Sequence, residues 1–321
     1  MVTKHRKNKK HKKLKTKRIP NMFKKHNVLK TKRIPNMFKK HHCSSKNSDN
    51  KVSCLDNKLL IKIGNLLNEY HDANIQINTE RQQLHDNISG KISEMSKCGS
   101  EKCWMTIREI KKRLNPNELE LFEHSFKPTM PQEWKKDKNT WLTTTDLWET
   151  IKRLMDKHKE FHSEIPLPVD FNKKKGNQCI SGDLCNIDLN KHFKEGKHKI
   201  GIVFNMDEHD EPGSHWTALY SELEPCCRKN PSIYYFDSIG DKAPKEIMAL
   251  VDKLQDQYKS IKGVNMDFLY NDIQHQKGTT ECGIYCLHFL TSMLEGIDFE
   301  KYINNKKTDK YMEELRPEYF I

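Results

Sequence analysis

Apolar residues recur at helical spacing near the end of the chain. Ile284, Leu287, Leu290 and Leu294 line up, with Tyr285, Phe289 and Met293 beside them. This pattern predicts a helix with a wide apolar face, and Gly296 supplies its stop. Leu59, Leu60, Ile63, Leu66 and Leu67 predict an earlier amphipathic helix, as do Ile107, Ile110 and Leu114. Leu84, Ile88 and Ile92 recur every four residues in a polar stretch and give a third helix with a narrow stripe. Leu147, Trp148, Ile151 and Leu154 follow a threonine N-cap, with Asp146 in the first turn. Pro244 opens a helix carrying Ile247, Leu250, Val251, Leu254 and Tyr258. Between these helices, Ile200, Ile202 and Phe204 alternate with their neighbours in a strand over 199–206. The stretch from Ser214 to Tyr220 reads as its antiparallel hairpin partner. Ile233–Asp237 and Val264–Asn271 are further strands. Short strands followed by a long buried helix predict an α+β fold.

Charge divides the chain. The formal net charge is +13, yet residues 1–42 hold 17 Lys or Arg and no acid. The remainder then has 40 basic against 44 acidic residues, so the basicity belongs to the tail. Leu14–His26 recurs as Leu29–His41, 13 identical residues at a period of 15. Two proline-containing copies cannot stack into a solenoid, and the charge prevents a core, so this tail is expected to be disordered. Its lysines and arginines suit non-specific contact with nucleic-acid phosphates or a nuclear address, with nothing that reads sequence. A solvated tail without a partner is the plain alternative. The expected division is a tail over 1–50, a helical accessory module over 51–128 and a catalytic domain over 129–321. No run of 18 apolar residues predicts a membrane span, and no secretory signal opens the chain.

Ten cysteines raise the question of disulfides. Without a secretory signal, the expectation is reduced thiols. Cys98 and Cys103 precede Trp104, but a second Cys/His pair at zinc-finger spacing is missing, so no metal is expected there.

The chemistry gathers around Gln276-Lys277-Gly278-Thr279-Thr280-Glu281-Cys282-Gly283. Cys282 falls at the first turn of the predicted buried helix, where unpaired N–H groups and the macrodipole favour an anion such as a thiolate. Gln276 has an amide N–H able to face an oxygen that becomes negative during acyl transfer. The alternative is core packing, the ordinary fate of a free cysteine. His215 near the start of one strand and Asp237 at the end of another supply a base and an orienting acid. His209, His275 and His288 compete with His215, Gln274 with Gln276, and Asp241 with Asp237. Cys286, one turn after Cys282, reads as packing.

The order His215-Trp216, Asp237, then Gln276 six residues before Cys282-Gly283, resembles the SUMO-protease and adenovirus-protease clan of cysteine peptidases over about residues 130–300. Within it the chain is most similar to the polyprotein-processing thiol proteases of large and giant DNA viruses, in which a comparable extra N-terminal region occurs. The resemblance implies a papain-like core and a thiol endopeptidase with a Cys282–His215–Asp237 triad, needing neither metal nor organic cofactor. It also implies that Trp141 and Trp216 cover a Gly-Gly substrate tail. Three threonines, Thr143 to Thr145, replace the Asn or Ser with an acid that often follows Trp-Leu in the family. The implied substrates are viral structural precursors cut at small or Gly-containing sites, or ubiquitin-like conjugates. The implied location is a virion or viral factory, otherwise nucleus or cytoplasm. A non-catalytic binding module and an acyltransferase on the same fold are the competing classes.

Overall fold

The computed structural model describes residues 43–44, 52–137, 140–225 and 230–321. The duplicated tail segment and residues 226–229, with Cys226 and Cys227, lie outside this set. So do the expectations of disorder and nucleic-acid contact for residues 1–42.

The N-terminal part is helical. Helices α1 (Asn57–His71), α2 (Arg81–Met95), α3 (Arg108–Arg113) and α4 (Pro116–His124) surround their own apolar cluster. Leu60, Ile63 and Leu67 of α1 meet Leu84, Ile88 and Ile92 of α2 in it, so the narrow stripe read from the sequence is a buried seam. The helix expected around Ile107–Leu114 is shorter than its pattern suggested. A 3-10 turn occupies Glu101–Thr106 before α3 begins at Arg108. Asn115 caps α4 through a full capping box with Glu118.

Helix α5 (Thr144–Lys157) follows, capped by Thr143 and Asp146 in the same reciprocal way. Polar stitches tie α5 to the preceding module. Arg153 donates to the carbonyls of Phe126 and Glu123, and His124 meets Asp156 at 2.6 Å.

Strands β1 (Phe161–Ser163) and β2 (Leu167–Pro168) come next. A small hairpin of β3 (Lys174–Lys175) and β4 (Gln178–Cys179) precedes the short helices α6 (Gly182–Cys185) and α7 (Leu189–Lys194). The main sheet is built from β5 (Lys199–Asn205), β6 (Trp216–Glu222), β7 (Ser232–Phe236) and β8 (Asp267–Tyr270). Strand β6 runs antiparallel to both β5 and β7, while β8 is parallel to β7 after the crossover helix α8 (Lys245–Lys262). β1 and β2 both lie parallel along the outer edge of β5, one near each end.

The sheet is covered on both faces. Ile200, Ile202, Phe204, Leu219, Ile233 and Tyr235 face α7 and α8. Val203, Ala218, Tyr220 and Phe236 face α9 (Cys282–Leu294), with α10 (Phe299–Asn304) and α11 (Asp309–Tyr319) closing that layer. Burial on two faces leaves nearly every position of β5, β6 and β7 buried, so the alternation read over 199–206 separates two packed faces and no solvent face. Every residue of α9 is buried. Gly201 makes this seat possible, since a Cβ there would lie 2.7 Å from the Phe161 ring and 3.0 Å from Leu290.

The expectation of reduced thiols is corrected in part. Disulfides join Cys43 to Cys54, Cys98 to Cys103 and Cys179 to Cys185, while Cys282 and Cys286 are free. The first pins the start of the described chain onto the helical module. The other two close loops of a few residues, for which spacing alone carries no signal.

Candidate active site

Three elements bring the candidate residues together. The hairpin β5–β6 places His215 directly before β6, held by the bond from the Met206 N–H to its carbonyl at 2.9 Å. Strand β7 ends at Phe236, so Asp237 leaves the sheet beside it. Helix α9 begins with Cys282 itself, after Glu281 in the N-cap position.

His215 Nε2 lies 2.8 Å from Asp237 Oδ1. Asp237 is buried, and the same oxygen accepts the Ile239 N–H at 2.9 Å. This fixes the carboxylate, and with Nε2–H committed to it, Nδ1 is the ring nitrogen left for the hydrogen bond with Cys282. Burial alone would disfavour the charged imidazole. The hydrogen bonds and charges of Asp237 and Cys282 outweigh it and raise His215 from its usual 6.5 to about 10. The arrangement favours an imidazolium facing sulfur at neutral pH.

Cys286 lies one turn along α9. Burial, then the charges of Cys282 and Asp237, pushes its thiol well up, so it remains protonated and serves as packing.

Gln276 is buried, and its amide is held at both ends. Ser238 Oγ donates to Oε1 at 2.7 Å, and Nε2 donates to the Gly278 carbonyl at 3.0 Å. Ser238 follows Asp237 directly, and its carbonyl accepts the N–H groups of His275 and Gln276, both at 2.8 Å. One short segment therefore fixes the acid and the amide together. A primary amide nitrogen carries two N–H groups, and only one is used by Gly278.

The two tryptophans differ. Trp216 is buried in the cluster that holds Cys282, and its indole N–H donates to the Leu142 carbonyl at 3.0 Å. Trp141 is half-buried on the segment leading into α5. Leu142 rests against Gly283, where an added Cβ would lie 3.1 Å from the Leu142 Cβ. The Trp141–Leu142 segment, Trp216 and the start of α9 thus form one wall.

The competing residues sit elsewhere. His209 is exposed and pairs with Asp170 at 2.8 Å, and Gln274 and Asp241 are exposed. His275 points Nε2 at the Ile303 carbonyl, and His288 pairs with the Tyr302 hydroxyl within the core.

Two groups at the site were not found by motif reading. Arg316 of α11 is buried and meets the equally buried Glu281 at 3.4 Å. Asp309 Oδ2, at the first residue of α11, accepts the N–H groups of Lys277 and Gly278 at 3.0 and 2.8 Å. A signal for Arg316 was present. It shares a helical stripe with Met312 and Tyr319, an arginine where the pattern calls for an apolar residue.

Residues 142–317 match the family model described as YopJ Serine/Threonine acetyltransferase. A thiol protease candidate of Acanthamoeba polyphaga mimivirus is 27% identical over 254 residues, 78% of this chain and 79% of that protein. A cysteine protease of African swine fever virus is 26% identical over 239 residues, 70% of this chain and 83% of the relative. In another isolate of that virus the matching protein bears the name SUMO-1 cysteine protease. The crystal structure of the African swine fever virus protease aligns with 88% of this chain and 96% of its own, with a TM-score of 0.60 and 23% sequence identity, which shows a shared fold. The chain belongs to the family described as YopJ serine/threonine acetyltransferase, within the SUMO-protease and adenovirus-protease clan, and is an enzyme of the cysteine-peptidase type.

Proposed function

We propose that the protein is a cysteine endopeptidase in which Cys282 is the nucleophile, His215 the general base and acid, and Asp237 the residue orienting the imidazole. The observation that carries this reading is the Asp237–His215–Cys282 relay at the head of α9, with a half-buried imidazole between a buried acid and a buried thiol. His215 takes the Cys282 proton, and the thiolate attacks a peptide carbonyl. The developing oxyanion is received by the Cys282 backbone N–H, at the positive end of the helix, and by the free amide N–H of Gln276. The imidazolium returns its proton to the leaving amine, and water then hydrolyses the thioester.

The names of the viral relatives support a viral protease as the class, and the substrates we propose for it are precursors of structural proteins cut at small or Gly-containing sites. Activity in a virion or viral factory follows from the same reading. The half-buried Trp141, next in sequence to the Leu142 whose carbonyl accepts the Trp216 indole N–H, suits a wall over a slender Gly-Gly tail. The basic tail over residues 1–42 would add non-specific contact with nucleic acid. Among the described residues no helix is long and apolar enough to cross a membrane.

A second reading, isopeptidase action on ubiquitin-like conjugates, is favoured by the SUMO-1 protease name of the swine fever relative. A third, acyl transfer to a protein hydroxyl, is favoured by the description of the matching family model. Cleavage of a Gly-Gly-X peptide panel and of ubiquitin-like precursors, by wild type and Cys282→Ala, separates them. Wild-type cleavage of extended peptides, abolished in the variant, is the expected result. Preference for folded modifiers selects the isopeptidase, and turnover only with an acyl-CoA donor selects the transferase. Cleavage retained by a folded Cys282→Ala protein contradicts the mechanism.

A further inference from the structure

The C-terminal helix α11 touches the segment before the nucleophile at two points. Asp309, its first residue, receives the Lys277 and Gly278 N–H groups on one carboxylate oxygen. Its other oxygen and the Lys307 carbonyl each lie 3.1 Å from the Tyr285 hydroxyl and share its proton. Burial, followed by the charge of Asp309, raises that phenol far above its usual range, so it stays a donor. Gly278, held in this way, is the residue whose carbonyl accepts the Gln276 amide. Asp309 is thus one residue removed from the amide orientation.

Arg316 stands seven residues on, two helical turns and about 10 Å along the same face. Its guanidinium donates to the Thr280 carbonyl at 3.2 Å and to the Thr140 carbonyl at 2.9 Å, and pairs with Glu281. It also lies over the Trp134 ring, 4.5 Å from its centroid. The fork therefore spans two strips of backbone, one leading to Cys282 and one leading to Trp141.

We propose that Asp309 and Arg316 are positioning residues that hold the 276–281 segment in the form that receives an oxyanion. This inference rests on the reading of Gln276 as an oxyanion donor. The segment has no regular secondary structure of its own, and Gly278, Lys277 and Thr279 are exposed. Without the carboxylate, the Gly278 carbonyl is free to turn, and the Gln276 amide turns with it. Attack by the thiolate requires only the Cys282–His215 pair. Stabilising the resulting oxyanion requires the segment as well.

Two reactions of Cys282 separate these demands. Iodoacetamide alkylates a thiolate by displacing iodide, and no oxyanion forms. p-Nitrophenyl acetate acylates it through a tetrahedral oxyanion: the S–C bond forms, the C–O bond breaks and p-nitrophenolate leaves. Both rates are measured on the full chain, with the background of Cys282→Ala subtracted, and expressed as the ratio of acylation to alkylation. Asp309→Ala is expected to keep its alkylation rate within about two-fold and lower the ratio about ten-fold, less than the roughly 10²-fold loss from Gln276→Ala. Asp309→Asn, which keeps an oxygen acceptor, is expected to fall between wild type and Asp309→Ala. Arg316→Lys, which keeps the charge and loses the fork, is expected to lower the ratio several-fold. An unchanged ratio in Asp309→Ala or Arg316→Lys, while Gln276→Ala falls, removes that residue from the proposal and leaves the oxyanion reading intact. An unchanged ratio in Gln276→Ala overturns the oxyanion reading itself.

Discussion

Two histidines pack around α9, a half-buried one at its head and a buried one midway along it, and the two imidazoles are driven in opposite directions. At the head of the helix, His215 is raised to about 10 because a carboxylate and a thiol outweigh its burial. Further along, His288 is lowered to about 3 by burial, then by the charges of Lys307 and His275. Its Nδ1 meets only the Tyr302 hydroxyl, and Nε2 has no hydrogen-bond partner among the described residues. Loss of water disfavours the charged ring at both, so it does not decide the chemistry. An anionic partner does. A histidine with a carboxylate and a thiol is held in its charged form, while one among aromatic rings becomes neutral packing.

The comparison breaks most severely if its carboxylate is removed. Asp237→Ala leaves the half-buried His215 with one partner fewer, and we expect kcat to fall about 10²–10⁴-fold with far less change in KM, by steady-state kinetics. A steric change at the same helix end has a smaller effect. Gly283→Ala sets a Cβ 3.1 Å from that of Leu142, and overpacking of this kind costs about 1–3 kcal/mol. Denaturant titration should show that loss, and Leu142→Ala in the same chain should recover part of it.

The two histidines also predict opposite pH dependence of stability. The folded value of His288 lies below its unfolded 6.5, so its neutral form stabilises the fold above pH 6.5. That contribution is lost as the pH falls toward 3, by at most about 1.4 kcal/mol per pH unit. His288→Gln should therefore flatten acid unfolding between pH 6.5 and 3 and leave kcat at neutral pH within about two-fold. The folded value of His215 lies above its unfolded 6.5, so its contribution is complete below pH 6.5 and lost as the pH rises through about 10. The stability gap between wild type and His215→Gln should narrow over that window, a smaller effect read by thermal unfolding at stepped pH.

The same contrast explains what the sequence revealed. His215, Asp237 and Cys282 sit at the ends of elements with strong periodic patterns, so their order along the chain was informative. The helix starting at Cys282 and the crossover helix α8 were legible because long apolar stripes specify them. Strands β1 and β2 have three and two residues, too few to show a period, and their parallel pairing with β5 depends on the finished sheet. Asp309 and Arg316 reach the site from 27 and 34 residues beyond Cys282, through a helix whose docking no local pattern states. The disulfides were missed because compartment reasoning favoured free thiols, whereas the fold places those sulfur atoms in contact.

The most direct test is an NMR titration of the His215 imidazole in wild type and in Cys282→Ala. The account predicts an imidazolium that persists through about pH 8 in wild type, with a midpoint that drops when the hydrogen bond and charge of Cys282 are removed. A wild-type His215 that is already neutral at about pH 7, or a midpoint indifferent to the loss of Cys282, would contradict the pairing on which the mechanism rests.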